Sequence, residues 1–234
     1  MPRKQTPARA GKLLRTDAYE RLLIAIITGE IEAGSRVDEK QLMKQYGLGQ
    51  AAVRDALFRL DLEGLVERHP RIGTRVAELG LRELQDVYEA RLLLESYAAA
   101  LGAVRGTPED FAAIRGAFAQ HADAVERRDI HKMVEIDWAF HRALARASQN
   151  QQIEVALRRL HNNACRFWCF GLKRASSTEM HQQRQYHLDI VDAMEARDMA
   201  GIEAAIRKAS GYSPDRNFLV GEPSLPFSVH TLMP

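Results

Sequence analysis

With 234 residues, 46% of them hydrophobic and 27% charged, the chain has material for one large domain or two small ones. No run approaches the roughly 18 apolar residues of a membrane span. The basic opening MPRKQTPARAGK leads into no apolar segment of the signal-peptide kind. The net charge of +2 is uneven: residues 1–76 carry 14 Lys+Arg against 10 Asp+Glu, and the remainder carries 19 against 21. A basic front on a slightly acidic body points the front at a polyanion. Cys165 and Cys169, the two cysteines, both fall in a helical pattern, which suits a reduced, cytoplasmic setting rather than a disulfide. As CxxxC they lack the second pair of a zinc site.

After a basic arm over residues 1–13, three short helices are expected before residue 65. The first runs from about Thr16, its N-cap, to Thr28, with Ala18, Leu22 and Ile26 inward. GEIEAGSRV breaks the chain, Asp38 caps a second helix with Leu42, Met43 and Tyr46 inward, and YGLG turns into a third over residues 49–63. That third helix places Val53, Leu57 and Leu60 inward and Gln50 and Arg54, four apart, outward. GLVERHPRIGTRVAEL then alternates as two strands around a tip at Pro70–Gly73. Helix, turn, helix and hairpin make a winged helix-turn-helix over residues 14–78, whose third helix enters a DNA major groove. The same pattern also fits a plain three-helix bundle with a hairpin.

The residues narrow this. VRDALFRLDLEGLVERHPRIGTRV, with GEIEAGSRVDEKQLMKQYGL before it, resembles the GntR family of bacterial regulators over about residues 14–77. The resemblance implies that Lys40, Gln50, Arg54 and the wing residues Arg71, Gly73 and Thr74 take DNA-contacting positions. It departs at Gly49-Gln50-Ala51-Ala52, where the family usually has Ser-Arg-Thr/Ser-Pro. Gln50 in place of that arginine removes a guanine-reading fork and suits adenine instead.

From Leu81 onward the text is helical, over 81–105, 108–128, 130–148, 150–172, 177–196 and 198–209, without strand alternation. Residues 79–210 therefore read as an all-α bundle, making the chain mainly α overall. Asp137 and His141 in DWAFHRAL share a helix face with Met133, Val134 and Leu144. A carboxylate and an imidazole on a core face are costly unless paired. His187 lies on another inward stripe with Ile190 and Met194. His69, His121, His131, His181 and His230 read as surface or loop residues, and His161 fits either side. Asp137, His141 and His187 together make an oxygen and nitrogen donor set for zinc, nickel or manganese. The alternative is a buried Asp–His hydrogen bond with an unrelated histidine nearby.

VYEARLLLESYAA, DWAFHRAL and HLDIVDAMEARD resemble the FCD ligand-binding domain of FadR-type GntR regulators, over about residues 82–210. In its metal-binding members an Asp and three His hold a divalent cation. The resemblance puts Asp137, His141 and His187 at the first three positions and Ala209, which offers no donor, at the fourth. Effectors of such domains are commonly organic acids, and Arg91 is the cation placed near the acid group. It could instead form an i,i+4 surface ion pair with Glu95. After Ser210 a proline-rich tail, residues 211–234, is either free or docked across the bundle through Phe218, Leu219, Val220 and Phe227.

The implied function is a DNA-binding transcription regulator rather than an enzyme, a repressor more readily than an activator. It is expected as a homodimer on a palindromic double-stranded operator, controlled by a carboxylate effector in a zinc-containing helical domain, with no membrane partner. A metal-dependent hydrolase or lyase using the same three ligands is the alternative. It lacks an evident second acid or base. A DNA-architectural protein without effector would leave Asp137 and His141 unexplained.

Overall fold

The computed structural model describes residues 7–69 and 71–210, with side chains from residue 17 onward. The expected tail at 211–234, His230 and the first six residues of the arm lie outside them. The chain divides into two units, Met1–Gly80 and Leu81–Pro234.

The first unit contains α1 (Pro7–Ile27), β1 (Arg36–Val37), α2 (Glu39–Tyr46), α3 (Gln50–Leu62), β2 (Val66–His69) and β3 (Gly73–Val76). Helix α1 starts at Pro7, so Thr16 lies inside it and does not cap it. Proline at a first helical position loses no bond, and the Ala, Lys and Leu residues after it favour helix. Asp38 caps α2 as expected, accepting from the Lys40 and Gln41 backbone N–H groups. Gly47 at φ 64° closes α2 in the left-handed conformation that glycine adopts without a Cβ penalty. Ala18, Leu22 and Ile26 of α1 and Val53, Leu57 and Leu60 of α3 are buried, and α1 packs along α3. The hairpin β2–β3 forms in register Val66↔Val76 to His69↔Gly73. Strand β1, too short to be read from alternation, adds to its other edge, giving the order β1-β3-β2.

The second unit is all-helical among the described residues: α4 (Leu81–Arg105), α5 (Pro108–Gly116), α6 (His121–Glu126), α7 (Ile130–Ala147), α8 (Gln151–Leu172), α9 (Ser177–Glu195) and α10 (Met199–Ala209). Side-chain caps at Thr107, Asp129, Asn150, Ser176 and Asp198 start five of them. The helix expected over 108–128 is two. Gly116 ends α5, and the bonds Ala119 N–Gly116 O at 3.1 Å and His121 N–Phe118 O at 3.0 Å tighten the chain into 3₁₀-type turns. Phe118 and His121 nevertheless lie in the core, at 8% and 3% exposure. His121, three residues after Phe118 and seven after the buried Ile114, is therefore not the surface or loop residue expected from sequence.

Helix α4 runs through the bundle, packed on α7, α8, α9 and α10. A Cβ on Gly102 would lie 2.9 Å from Met194 Cε and 3.2 Å from Ala147 Cβ, so glycine sets the close approach of α4 to both neighbours. Phe140, Leu144, Ile190, Met194, Ile202 and Ile206 fill the centre. This core ends at a group of polar side chains.

Candidate functional site

In the first unit, α3 opens with Gln50, and Arg54 follows one turn later; both are exposed. Lys40, also exposed, is the second residue of α2. The Arg54 Nε donates to Glu39 Oε2 at 2.9 Å, which ties α3 to the start of α2. At the wing tip Arg71 is left-handed at φ 66° and Gly73 is at φ 113°. Arg71, Gly73 and Thr74 line one concavity with Arg36, Arg68 and His69. A Cβ on Gly73 would lie 3.5 Å from Arg36 Nε, so the wing backbone passes close to that guanidinium. Arg36 was not singled out from sequence, because its strand is two residues long.

In the second unit the polar group takes Arg91 and Glu95 from α4, Asp137 and His141 from α7, His161 and Cys165 from α8, and His187 from α9. Arg91 Nε donates to Glu95 Oε2 at 3.0 Å, and the side chains are 12% and 6% exposed. The pair exists, but it is buried and not at the surface. Glu95 Oε1 lies 2.5 Å from His141 Nδ1, while Arg91 Nη2 lies 3.0 Å from His141 Nε2. Arg91 Nη2 also lies 3.4 Å from His141 Nδ1, so it sits beside the ring rather than on the Nε2 lone pair. Although burial works to lower His141, Glu95 raises it above the ordinary imidazole value. A carboxylate behind an imidazole in this way fixes the ring and raises its basicity.

Asp137 is the hub. Its Oδ2 meets His161 Nε2 at 3.0 Å and Cys165 Sγ at 3.2 Å, and its Oδ1 lies 3.5 Å from His141 Nε2 and 4.0 Å from His187 Nε2. His187 Nδ1 lies 2.7 Å from the Gln183 carbonyl, to which it donates. That leaves the Nε2 lone pair of His187 facing the carboxylate. Two acceptors face each other there, an arrangement suited to a cation between them.

Charges within the group are set by their neighbours. Burial works to raise Asp137, but His161 and His141 hold its carboxyl well below the usual range. Burial likewise opposes ionisation of Glu95, and Arg91 and then His141 overcome it. His161 and His187 are pushed down to about 4, by burial first and then by His141. Both are thus neutral at pH 7, as a metal-ligating imidazole must be. Burial also pushes the Cys165 thiol well up, with Asp137 adding to the shift, so it remains a thiol donor to the carboxylate.

Donor atoms of Asp137, His141 and His161 all lie within 4.8 Å of one another, a group able to hold a metal ion. His187 stands just outside it, its ring 5.2 Å from that of His141. His161 was left open between surface and interior in the sequence, although it falls four residues after Leu157 and four before Cys165, both buried. That spacing was the available signal. Among the described residues its buried Nδ1 has no hydrogen-bond partner, so none of them fixes the tautomer on that side. Ala209, at the end of α10, lines the same pocket without a donor. One buried carboxylate with neutral imidazoles fits a borderline divalent cation.

Two family models match the chain: bacterial regulatory proteins of the gntR family over residues 14–76, and the FCD domain over residues 86–209. The chain belongs to the GntR family, with an FCD domain. It is a DNA-binding transcription regulator built as a winged helix followed by a helical effector-domain fold. The chain is 28% identical to a probable D-xylose utilization operon transcriptional repressor of Paenarthrobacter nicotinovorans, over 79% of this chain and 80% of that one. It is 29% identical to the HTH-type transcriptional repressor GlaR of Escherichia coli, over 82% and 90%. Among solved structures, E. coli McbR/YncC shares the fold with a TM-score of 0.74 at 22% identity, covering 85% of this chain and 93% of that one. These families and relatives are regulators, and the hydrolase or lyase alternative finds no support among them. No described helix is long and apolar enough to cross a membrane.

Proposed function

We propose that this GntR regulator acts in the cytoplasm as a homodimeric repressor on a palindromic operator, and that a carboxylate effector bound beside a zinc ion in its helical unit controls DNA binding. The observation that carries the effector half is the convergence of Asp137, His141, His161 and His187 from three helices on one buried pocket. His161 supplies the donor that Ala209 lacks. With all four histidines neutral, as metal binding requires, Asp137, Glu95 and Arg91 sum to one negative formal charge. A divalent cation takes the group to +1, which favours a monoanion. Bound zinc supplies a Lewis-acidic centre for an acid group. Arg91 supplies hydrogen-bond donors beside it, and Glu95 orients His141.

On DNA, Gln50 and Arg54 read base edges from α3, while Lys40, Arg71, Gly73 and Thr74 set the register on the backbone and in the minor groove. Arg36 joins them at the wing. One winged helix offers a small footprint, so two related by a dyad are needed for operator affinity.

Two measurements test this. Selection from random duplex DNA should yield an inverted repeat, and recovered sequences without two-fold symmetry would refute the dimeric operator. Elemental analysis after dialysis against a mild chelator should give one zinc per chain, lost in His161→Ala and in His187→Ala. Metal-free protein from zinc-supplied expression would remove the cofactor from the proposal.

A further inference from the structure

Resting on the reading of the helical unit as an acid-binding effector domain, we infer that the effector is an acid with a bulky aromatic body, not a small hydrophilic one. The polar pocket around Arg91 and His141 shares Tyr88, Asp137, Trp168, Gln183 and His187 with a second cavity of about 590 Å³. That volume is of the size that encloses a drug-sized molecule. A two- or three-carbon acid held at the polar end leaves most of it unfilled.

The walls of the larger cavity are mainly apolar and ring-bearing. Phe118 and Ile136 come from the core side, Phe167 and Trp168 from α8, and Met133 and Met180 add to the apolar lining. Aromatic walls favour a ring by offset or edge-to-face contact, and methionines adapt to an irregular outline. The exposed Arg174, Glu179 and Gln182 and the half-buried Arg184 also line the cavity, and Asp137 and His187 stand at the end shared with the polar pocket. A ligand matching both ends carries its acid there and its ring among the aromatic residues.

Two wall residues hold buried acceptors without partners among the described residues, Gln183 Oε1 and His121 Nδ1. His121 donates to the Met180 backbone, which leaves Nδ1 as the acceptor. Buried acceptors without donors are uncommon in folded proteins. Their position on a cavity wall points to a ligand that completes them, such as a ring hydroxyl.

Titration calorimetry on the full-length, zinc-supplied protein tests this with acetate, lactate, hexanoate, 3-phenylpropionate and its 4-hydroxy derivative, and with 3-phenylpropionamide as the uncharged control. Affinity should rise about fourfold per buried methylene and roughly a hundredfold from lactate to 3-phenylpropionate. The hydroxy derivative should bind tighter still, and the amide at least tenfold weaker than its acid. Leu84→Trp, which puts an indole at a half-buried position on the cavity wall, should cost the aryl acid more than tenfold in a protein whose circular dichroism matches wild type. Lactate binding as tightly as the aryl acids would overturn the inference and leave the acid-effector reading intact. No binding by any acid would overturn both. An amide equal to its acid would overturn the acid head group.

Discussion

Replacing Glu95 by leucine should show how much of the helical unit rests on one buried charge. The substitution removes the Arg91 Nε–Glu95 Oε2 bond at 3.0 Å and the Glu95–His141 contact, in a place where the two carboxylate and guanidinium side chains are 6% and 12% exposed. Each charge-assisted bond is worth about 1.5–3 kcal/mol. Stranding a buried partner independently costs roughly 3–5 kcal/mol, so both estimates put the loss near 4 kcal/mol. For a unit of this size about 1 kcal/mol corresponds to roughly 2–4 °C, so the helical transition in a calorimetric scan should fall by about 8–16 °C. The double variant Arg91→Met/Glu95→Leu fills the same space without a stranded cation and should recover most of the loss. A shift under 2 °C for Glu95→Leu, or a double variant no better than the single one, would refute the account of Arg91 as a buried cation dependent on Glu95.

Other consequences are as direct. Arg54→Ala should weaken binding to the selected operator by about 1–3 kcal/mol in fluorescence anisotropy, and Gln50→Arg should move the preferred half-site toward a guanine; unchanged titrations for both would remove α3 as the reading helix. Sedimentation at micromolar concentration should show a species of twice the chain mass, and a lone monomer with and without operator would count against the dimer. Ala209→His should slow zinc loss to a competing chelator by giving the pocket a further donor, whereas wild-type kinetics would mean that the end of α10 does not reach the cation. His121 is held down to about 4 by burial and then by His181 and Arg184, below its unfolded value near 6.5. Its contribution to stability is then fully present above pH 6.5 and is lost as pH falls toward 4, by on the order of 2 kcal/mol at pH 4.5. His121→Phe should flatten that part of the stability profile, and an unaltered acid limb would show that the ring is not buried as a neutral group.

What the sequence discloses here is what repeats along one helix. Ala18–Leu22–Ile26 and Val53–Leu57–Leu60 mark their inner faces by spacing alone, and all six are buried. Asp137 and His141 are legible for the same reason, since polar residues interrupting such a stripe stand out against it. Arg91 and Glu95 are not, because an Arg–Glu pair four apart looks the same on a wet helix as on a dry one. Only the packing of α7 and α8 over α4 decides between them. His121 is legible by the same spacing rule as Asp137 and His141, since it falls seven residues after Ile114 and three after Phe118, both buried.

The polar site itself is the least local feature. Its charged and ligating side chains come from α4, α7, α8 and α9, and no two of those elements announce in sequence that they will meet. That distribution also bears on mechanism. A hydrolase needs a base and a nucleophile fixed against one bond, whereas the groups around Asp137 are already engaged with one another: Arg91 with Glu95, Glu95 with His141, His161 and Cys165 with Asp137. A ligand entering such a network must exchange contacts with several helices at once. Its binding free energy is then expressed as a change in how those helices are held, which is the output a DNA-binding regulator requires.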